Sequence, residues 1–197
     1  LGVNLSVVIG HQLTPEEAFE LPARLARSRA VAAAAEGVYA VMRPRWPGLE
    51  PAPVWQWSWP IPAATVIRDA WAIGDYPGMQ DAAGFTLYVG PRAIEAVHHE
   101  KYVGFVEDSD GIQTPIRQLC RAFAAEVGSD RVIYLPDSGY ALQALVNLGE
   151  GTAFEELESR LRACKPPAPT IRAIHTEYGD GGWDVDGYFI DDFSDLA

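Results

Sequence analysis

Several things are scarce or missing in this 197-residue chain, and each absence closes off a class of function. No apolar run approaches the ~20 residues that a helix needs to cross a bilayer, so no membrane role is expected. No basic-then-apolar leader precedes the first predicted strand, and the expectation is a cytoplasmic protein. Cysteine is nearly absent. Cys120 and Cys164 fall at apolar positions of predicted helices, which predicts two buried thiols rather than a disulfide. Histidine occurs only at His11, His98, His99 and His175, with no HExxH pattern, no spacing of three or four, and no cysteine ligand pair. Neither a motif metal site nor a cofactor is expected. The glycine clusters "GEG" (149–151) and "GDGG" (179–182) carry no Walker lysine and no Gly-x-Gly-x-x-Gly, so phosphate binding has no support. "PDSGY" (136–140) lacks the Gly-x-Ser-x-Gly spacing of a nucleophile turn, and Ser138 reads as a helix N-cap.

Positive charge is the other shortage. Fifteen Lys and Arg face twenty-seven Asp and Glu, a net charge of −12. Such a protein repels nucleic acid backbones and anionic membranes, and it attracts basic proteins. No Lys or Arg follows Arg172, whereas seven acids lie from Glu177 onward. The stretch from Arg24 to Arg45 leans the other way, with five arginines against Glu36 alone.

What is present is ordinary globular material: 48% apolar and 21% charged residues. "VNLSVVIG" reads as an opening strand over Val3 to Ile9. Thr14, Pro15 and Glu17 form a capping box, Pro22 restarts the helix, and a longer helix runs to about Met42. Six prolines between Pro44 and Pro62, with Trp46, Trp55, Trp57, Trp59 and Trp71 in or just after them, make 43–84 a Pro/Trp-rich irregular segment pinned by its indoles. "FTLYVG" (85–90) and "KYVGFVED" (101–108) read as strands, with "AIEAVHH" between them undecided. "TPIRQLCRAFAAEVG" is the clearest helix: Thr114 caps it and Pro115 opens it. Ile116, Leu119, Cys120, Phe123, Ala124 and Val127 form its stripe, and Gly128 ends it. A buried strand "RVIYLP", helices at "GYALQALVNLG" and "TAFEELESRLRAC", and strand-like "TIRAIHTE" and Trp183–Phe193 complete the chain. Phe154, Leu157 and Leu161 point inward from the second of those helices. The expected fold is a single α+β domain over 1–197, mostly antiparallel sheet with four to five helices, with a mixed α/β arrangement as the alternative.

Two stretches carry functional readings. "GDGGWDVDGYFIDDFSDLA" (179–197) fails as an EF-hand. With Gly187 at loop position 6, Asp184 and Asp186 sit correctly at 3 and 5, but Gly182 and Phe193 occupy positions 1 and 12 and cannot ligate. A looser divalent site among Asp180, Asp184 and Asp186 stays open. Trp183, Val185, Tyr188, Phe189, Ile190 and Phe193 make the stretch too apolar for a solvated tail. A strand or hairpin turning at Asp186–Gly187, with a row of carboxylates outward, fits better. Those carboxylates are either solubilising edge residues or an electronegative docking surface. "WQWSW" puts Trp55, Trp57 and Trp59 on one face of an extended chain, as core filling or as a platform for a sugar or a partner.

The closing "DGYFIDDFSDL" and the strand-turn "IYLPDSG" resemble the small acidic immunity proteins that bacteria keep in the cytosol to neutralise antibacterial toxins. The resemblance implies a tight complex that blocks a toxin. The expected function is a non-catalytic binding protein taking a basic protein partner through Asp184, Asp186, Asp191 and Asp192, with Trp55, Trp57 and Trp59 contributing. Two alternatives stand beside it: a hydrolase or metal-dependent enzyme built from dispersed His and Asp residues, and a carbohydrate-binding module on the tryptophan row.

Overall fold

The computed structural model describes residues 3–47, 55–80, 83–137, 151–178 and 186–194. Its frame is one sheet of seven strands in the order β2-β3-β4-β5-β1-β6-β7, antiparallel throughout. The strands are β1 (Asn4–Gly10), β2 (Gln56–Trp57), β3 (Gly78–Gln80), β4 (Phe85–Val89), β5 (Ala93–Lys101), β6 (Arg131–Pro136) and β7 (Phe189–Asp192). The helices are α1 (Pro15–Phe19), α2 (Leu21–Arg27), α3 (Arg29–Met42), α4 (Ala64–Ala72), α5 (Tyr102–Val106), α6 (Gln113–Val127), α7 (Phe154–Cys164) and α8 (Ile171–Tyr178). The fold is α+β, as expected.

Strand β1 lies inside the sheet between β5 and β6, and its alternation sets up two layers. Leu5, Val7 and Ile9 point into the larger core with α3, α5 and α6, while Val8 joins Ile133, Leu135 and α7 on the opposite face. The α6 stripe predicted from spacing is the buried set, residue for residue: Ile116, Leu119, Cys120, Phe123, Ala124 and Val127. Burying each of its large apolar side chains stabilises the fold by roughly 1.5–3 kcal/mol. Gly128 ends the helix in the left-handed region, φ 76°, where a side chain would be strained. On the other face, a Cβ on Gly10 would stand 2.6 Å from Phe154 Cβ, so glycine is what lets α7 lie against β1.

The described residues hold more helices than the periodicity predicts, for local reasons. The capping box at Thr14 is present, with Glu17 N donating to Thr14 Oγ1 at 3.2 Å and Thr14 N to Glu17 Oε2 at 2.8 Å. Pro22 restarts the chain as α2. Ser28 then starts a third helix by accepting a bond from Val31 N, so the predicted long helix is two. The segment 43–84 is less irregular than its prolines suggest, since it contributes α4 and the strands β2 and β3.

Several assignments change outright. Residues 102–108 are not a strand; β5 occupies the undecided stretch before them and ends at Lys101, and Tyr102–Val106 is a helical turn. Inward positions of β5 alternate as Ile94, Ala96, His98 and Glu100, and the two polar members conceal the period of two. "TIRAIHTE" is helical as well, with Ile171 and Ile174 buried at a spacing of three. The N-cap of α6 is Ile112 rather than Thr114, and Asp108 Oδ1 satisfies Gln113 N at 2.9 Å. Cys164 is exposed, so only Cys120 is the buried thiol that was expected. The predicted helix over 139–149, the Ser138 cap and the "GDGG" turn lie outside the described residues.

Candidate functional site

Strand β7 is where the C-terminal acids meet the sheet, and the structure separates them. Asp191 points to the α6 side and is buried, at 6% exposure. Arg117 holds it with two bonds, Nε to Oδ2 at 2.7 Å and Nη2 to Oδ1 at 2.8 Å. The same carboxylate lies 3.5 Å from the Tyr134 hydroxyl. This is a fork-to-fork pair that fixes β7 on α6, and it pushes the Arg117 guanidinium further above its ordinary value, chiefly through the hydrogen bond. Asp191 is therefore not available as an outward docking carboxylate. Asp186 is also engaged, through Lys165 Nζ at 3.1 Å, beside the buried Tyr102 whose hydroxyl donates to Gly187 O. Burial is the main reason that the Tyr102 phenol is raised far above its ordinary range.

Asp192, one residue on, faces the other way and is exposed. Its Oδ1 accepts from Ser194 N at 2.9 Å and from Ser194 Oγ at 2.6 Å, and the Ser194 side-chain bond is the first cause of its lowered pKa. Asp184 lies outside the described residues.

The backbone of this strand is half used. Phe193 N donates to Asp130 O at 2.7 Å. With the register Tyr134↔Phe189 and Val132↔Asp191, that bond turns the peptide groups of Phe189, Asp191 and Phe193 toward β6. The N–H and C=O of Ile190 and Asp192 consequently point outward, and among the described residues no strand lies beyond them. The next outward carbonyl, Tyr188 O, is taken by Ala168 N at 2.9 Å. A strap from the "PPAP" spacer thus closes the edge at its start, and among the described residues nothing pairs with it from Ile190 on.

A groove of about 380 Å³ runs beside that edge, lined by Thr114, Arg117, Gln118 and Arg121 of α6 with Asp191, Asp192 and Phe193. Two arginines stack on its aromatic rings. Arg117 lies 5.8 Å from the Phe189 centroid and Arg121 lies 5.3 Å from that of Phe193. Arg117 is matched by Asp191, whereas among the described residues no carboxylate pairs with Arg121. The sequence did not single out Arg117 or Arg121, because two arginines on a surface helix are ordinary until an aromatic strand is placed beside them. Spaced by four, they share one helix face that flanks the buried stripe.

The tryptophan row divides. Trp55 is buried and meets Phe123 edge-on at 5.1 Å, and Trp57 packs half-buried against the same core. Trp59 lies beyond the end of β2 and is 42% exposed. Two indoles do share a face as expected, and that face is the core side; the three form no common platform.

The histidines do not converge either. His11 and His98 use one local arrangement. In each, Nδ1 accepts the N–H two residues on (Leu13 at 3.1 Å, Glu100 at 2.9 Å), and Nε2 donates to a carbonyl (Gly90 at 2.9 Å, Ala83 at 3.0 Å). Both nitrogens of each ring are spent, and burial lowers the pKa to about 4 for His11 and about 3 for His98. His99 is exposed on the opposite face from His98, and His175 lies 3.8 Å from Glu107. Among the described residues no group of three His, Cys, Asp or Glu side chains could hold a metal ion. Burial also raises the Cys120 thiol far above the range of a useful nucleophile.

A second concavity, about 570 Å³, opens where β1 ends, between α2, the C-terminus of α6 and the start of α7. Two of its arginines are engaged. Arg24 Nη1 donates to Glu126 O at 2.9 Å, and Arg131 contacts Asp130, Glu155 and Glu158 at 3.6, 3.7 and 2.5 Å. Arg92 stands exposed at the rim.

The chain matches no protein-family model, no curated protein and no solved structure.

Proposed function

We propose that the chain is a non-catalytic binding protein that takes a partner strand along β7, as an immunity-type inhibitor of a basic protein. The observation that carries this reading is the outward-facing backbone of Ile190 and Asp192 at the end of the sheet, beside a ready groove. Strand addition supplies main-chain hydrogen bonds for affinity and leaves side-chain pockets to choose the partner. The net charge of −12 would speed the approach of a basic protein and reject acidic ones. The docking edge is narrower than the row of four aspartates suggests: Asp192 remains outward, while Asp186 and Asp191 have inward work.

The test is an edge-blocking variant. Asp192→Pro removes one outward N–H and puts a ring in its place, without taking a bond from the β6 ladder. Cells expressing tagged wild-type chain should yield a stoichiometric basic partner that high salt releases, and the proline variant should not retain it at an unchanged melting temperature. Equal retention by the proline variant would sink the β7 reading.

A further inference from the structure

We infer that the strand received by β7 carries opposite charges on adjacent residues: a carboxylate on the side facing α6 and a cation on the side facing away. This deepens the strand-addition reading and rests on it. The geometry follows from the period of two. A strand laid against Ile190 and Asp192 directs successive side chains to opposite faces of the sheet. On the α6 face, the partner residue opposite Phe193 enters the groove beside Arg121. That guanidinium sits over the Phe193 ring, 5.3 Å from its centroid, and a guanidinium suits a planar acceptor. Among the described residues no carboxylate meets it. Arg117, four residues earlier, shows how such a guanidinium on this face is matched, through the two-point bond to Asp191.

On the other face, the partner residue opposite Asp192 meets an exposed carboxylate whose Oδ1 is bound by Ser194. The nearest cation across the sheet in the register is Arg131, and it is occupied by Glu158. A cation on the incoming strand would fill that position. An uncharged strand would leave both groups to water. A strand with one sign throughout would satisfy one group and repel the other. The same logic disfavours a second copy of this chain at the edge, because antiparallel self-pairing would bring the Asp191–Asp192 steps of two molecules together.

The closing experiment uses short synthetic peptides as probes and backbone amide shifts of Ile190 and Asp192 as the site readout. The parent probe is a seven-residue strand former, Thr-Val-Glu-Lys-Thr-Val-Thr, blocked at both ends. Companions replace its Glu by Gln, its Lys by Gln, or its Glu by Lys. The parent should bind tightest, and each single neutralisation should weaken it about two- to fivefold, the weight of an exposed ion pair. Arg121→Glu should reverse the order, so that the Lys-Lys peptide outbinds the parent, with the melting temperature confirming an intact fold. Equal affinities for all four peptides, with Ile190 and Asp192 shifting, would overturn the charge pattern and leave strand addition standing. Shifts elsewhere, or none with any peptide, would overturn both.

Discussion

The two ends of the sheet solve the same problem with different chemistry. At the β2 end the strand is two residues long, and aromatic bulk closes it down. Trp55 meets Phe123, Phe123 meets Phe85 at 5.9 Å, and Phe85 meets His98 at 4.4 Å. The polar group in that chain is a histidine held neutral. At the β7 end a second aromatic chain runs Phe105–Tyr134–Phe189 at 5.2 and 6.4 Å, and it ends on a charged pair, Asp191 with Arg117. Sheet edges invite unwanted pairing and are commonly blunted by short strands or by charge. Here one edge uses the first device and the other the second. The apolar end can only be broken by removing volume or by forcing a charge inside. The charged end can also be broken by charge alone, because its anchor is the Asp191–Arg117 pair.

The largest expected effect is at the apolar end. Trp55→Ala removes a buried indole that anchors β2 on α6, and it should cost about 3–5 kcal/mol in chemical denaturation. The Trp59→Ala variant, at a 42% exposed indole, should stay within about 0.5 kcal/mol. Similar losses at both positions would mean that the tryptophan row acts as one unit, contrary to its division between core and surface.

Acid separates the two ends next. His98 and His11 are neutral in the fold, with pKa values of about 3 and about 4, and each would bind a proton near pH 6.5 once unfolded. Between those limits the unfolded chain holds more protons, so stability is full above pH 6.5 and falls as the pH drops toward 4 and 3. Each histidine contributes a slope of up to about 1.4 kcal/mol per pH unit in that window. His98→Gln keeps a neutral donor and acceptor, and denaturation curves from pH 6.5 to 4 should lose about half of the two-histidine slope. An unchanged slope would place the acid sensitivity elsewhere.

These two groups also show what could be read from the chain beforehand. Helix α6 was legible because six apolar residues recur with one period and Gly128 stops them. Strand β5 was not, because its inward row includes His98 and Glu100. A buried histidine and a glutamate held by Arg45 look polar in sequence, and burying them takes distant partners, Ala83 O and the Arg45 guanidinium, beside their local bonds. The same blindness covered the site. Acidity near the C-terminus was evident, but the division of labour between Asp191 and Asp192 depends on which face β7 turns toward α6. That register is set by Val132 and Ile133 of β6, more than fifty positions away. Arg121 carried no signal of its own until Phe193 was placed beneath it.

Asp191→Asn comes third in size. It leaves the Arg117 guanidinium without its carboxylate. A fully buried broken pair costs about 3–5 kcal/mol, and Arg117, at 39% side-chain exposure, retains enough water to reduce this to about 1–3 kcal/mol. The loss should be nearly insensitive to added salt, since Asp191 itself is out of reach of mobile ions. A change below about 0.5 kcal/mol would show that the shape of β7, rather than its charge pair, holds the edge in place.

The smallest effect decides the comparison most sharply, because it concerns the next residue. Asp192→Asn alters an exposed side chain whose contact is a local bond to Ser194, and stability should move by no more than about 0.5 kcal/mol. The double variant at Asp191 and Asp192 should therefore cost what Asp191→Asn costs alone, within about 0.5 kcal/mol in the same denaturation experiment. The two carboxylates are chain neighbours on opposite faces of one strand, so they act through separate contacts and their effects add. A large excess in the double variant would mean that the edge behaves as one electrostatic unit, and the separation of an anchoring aspartate from a presenting one would fail. Additivity would instead leave Asp192 the one described β7 carboxylate that can be changed to alter recognition without loosening the strand that presents it.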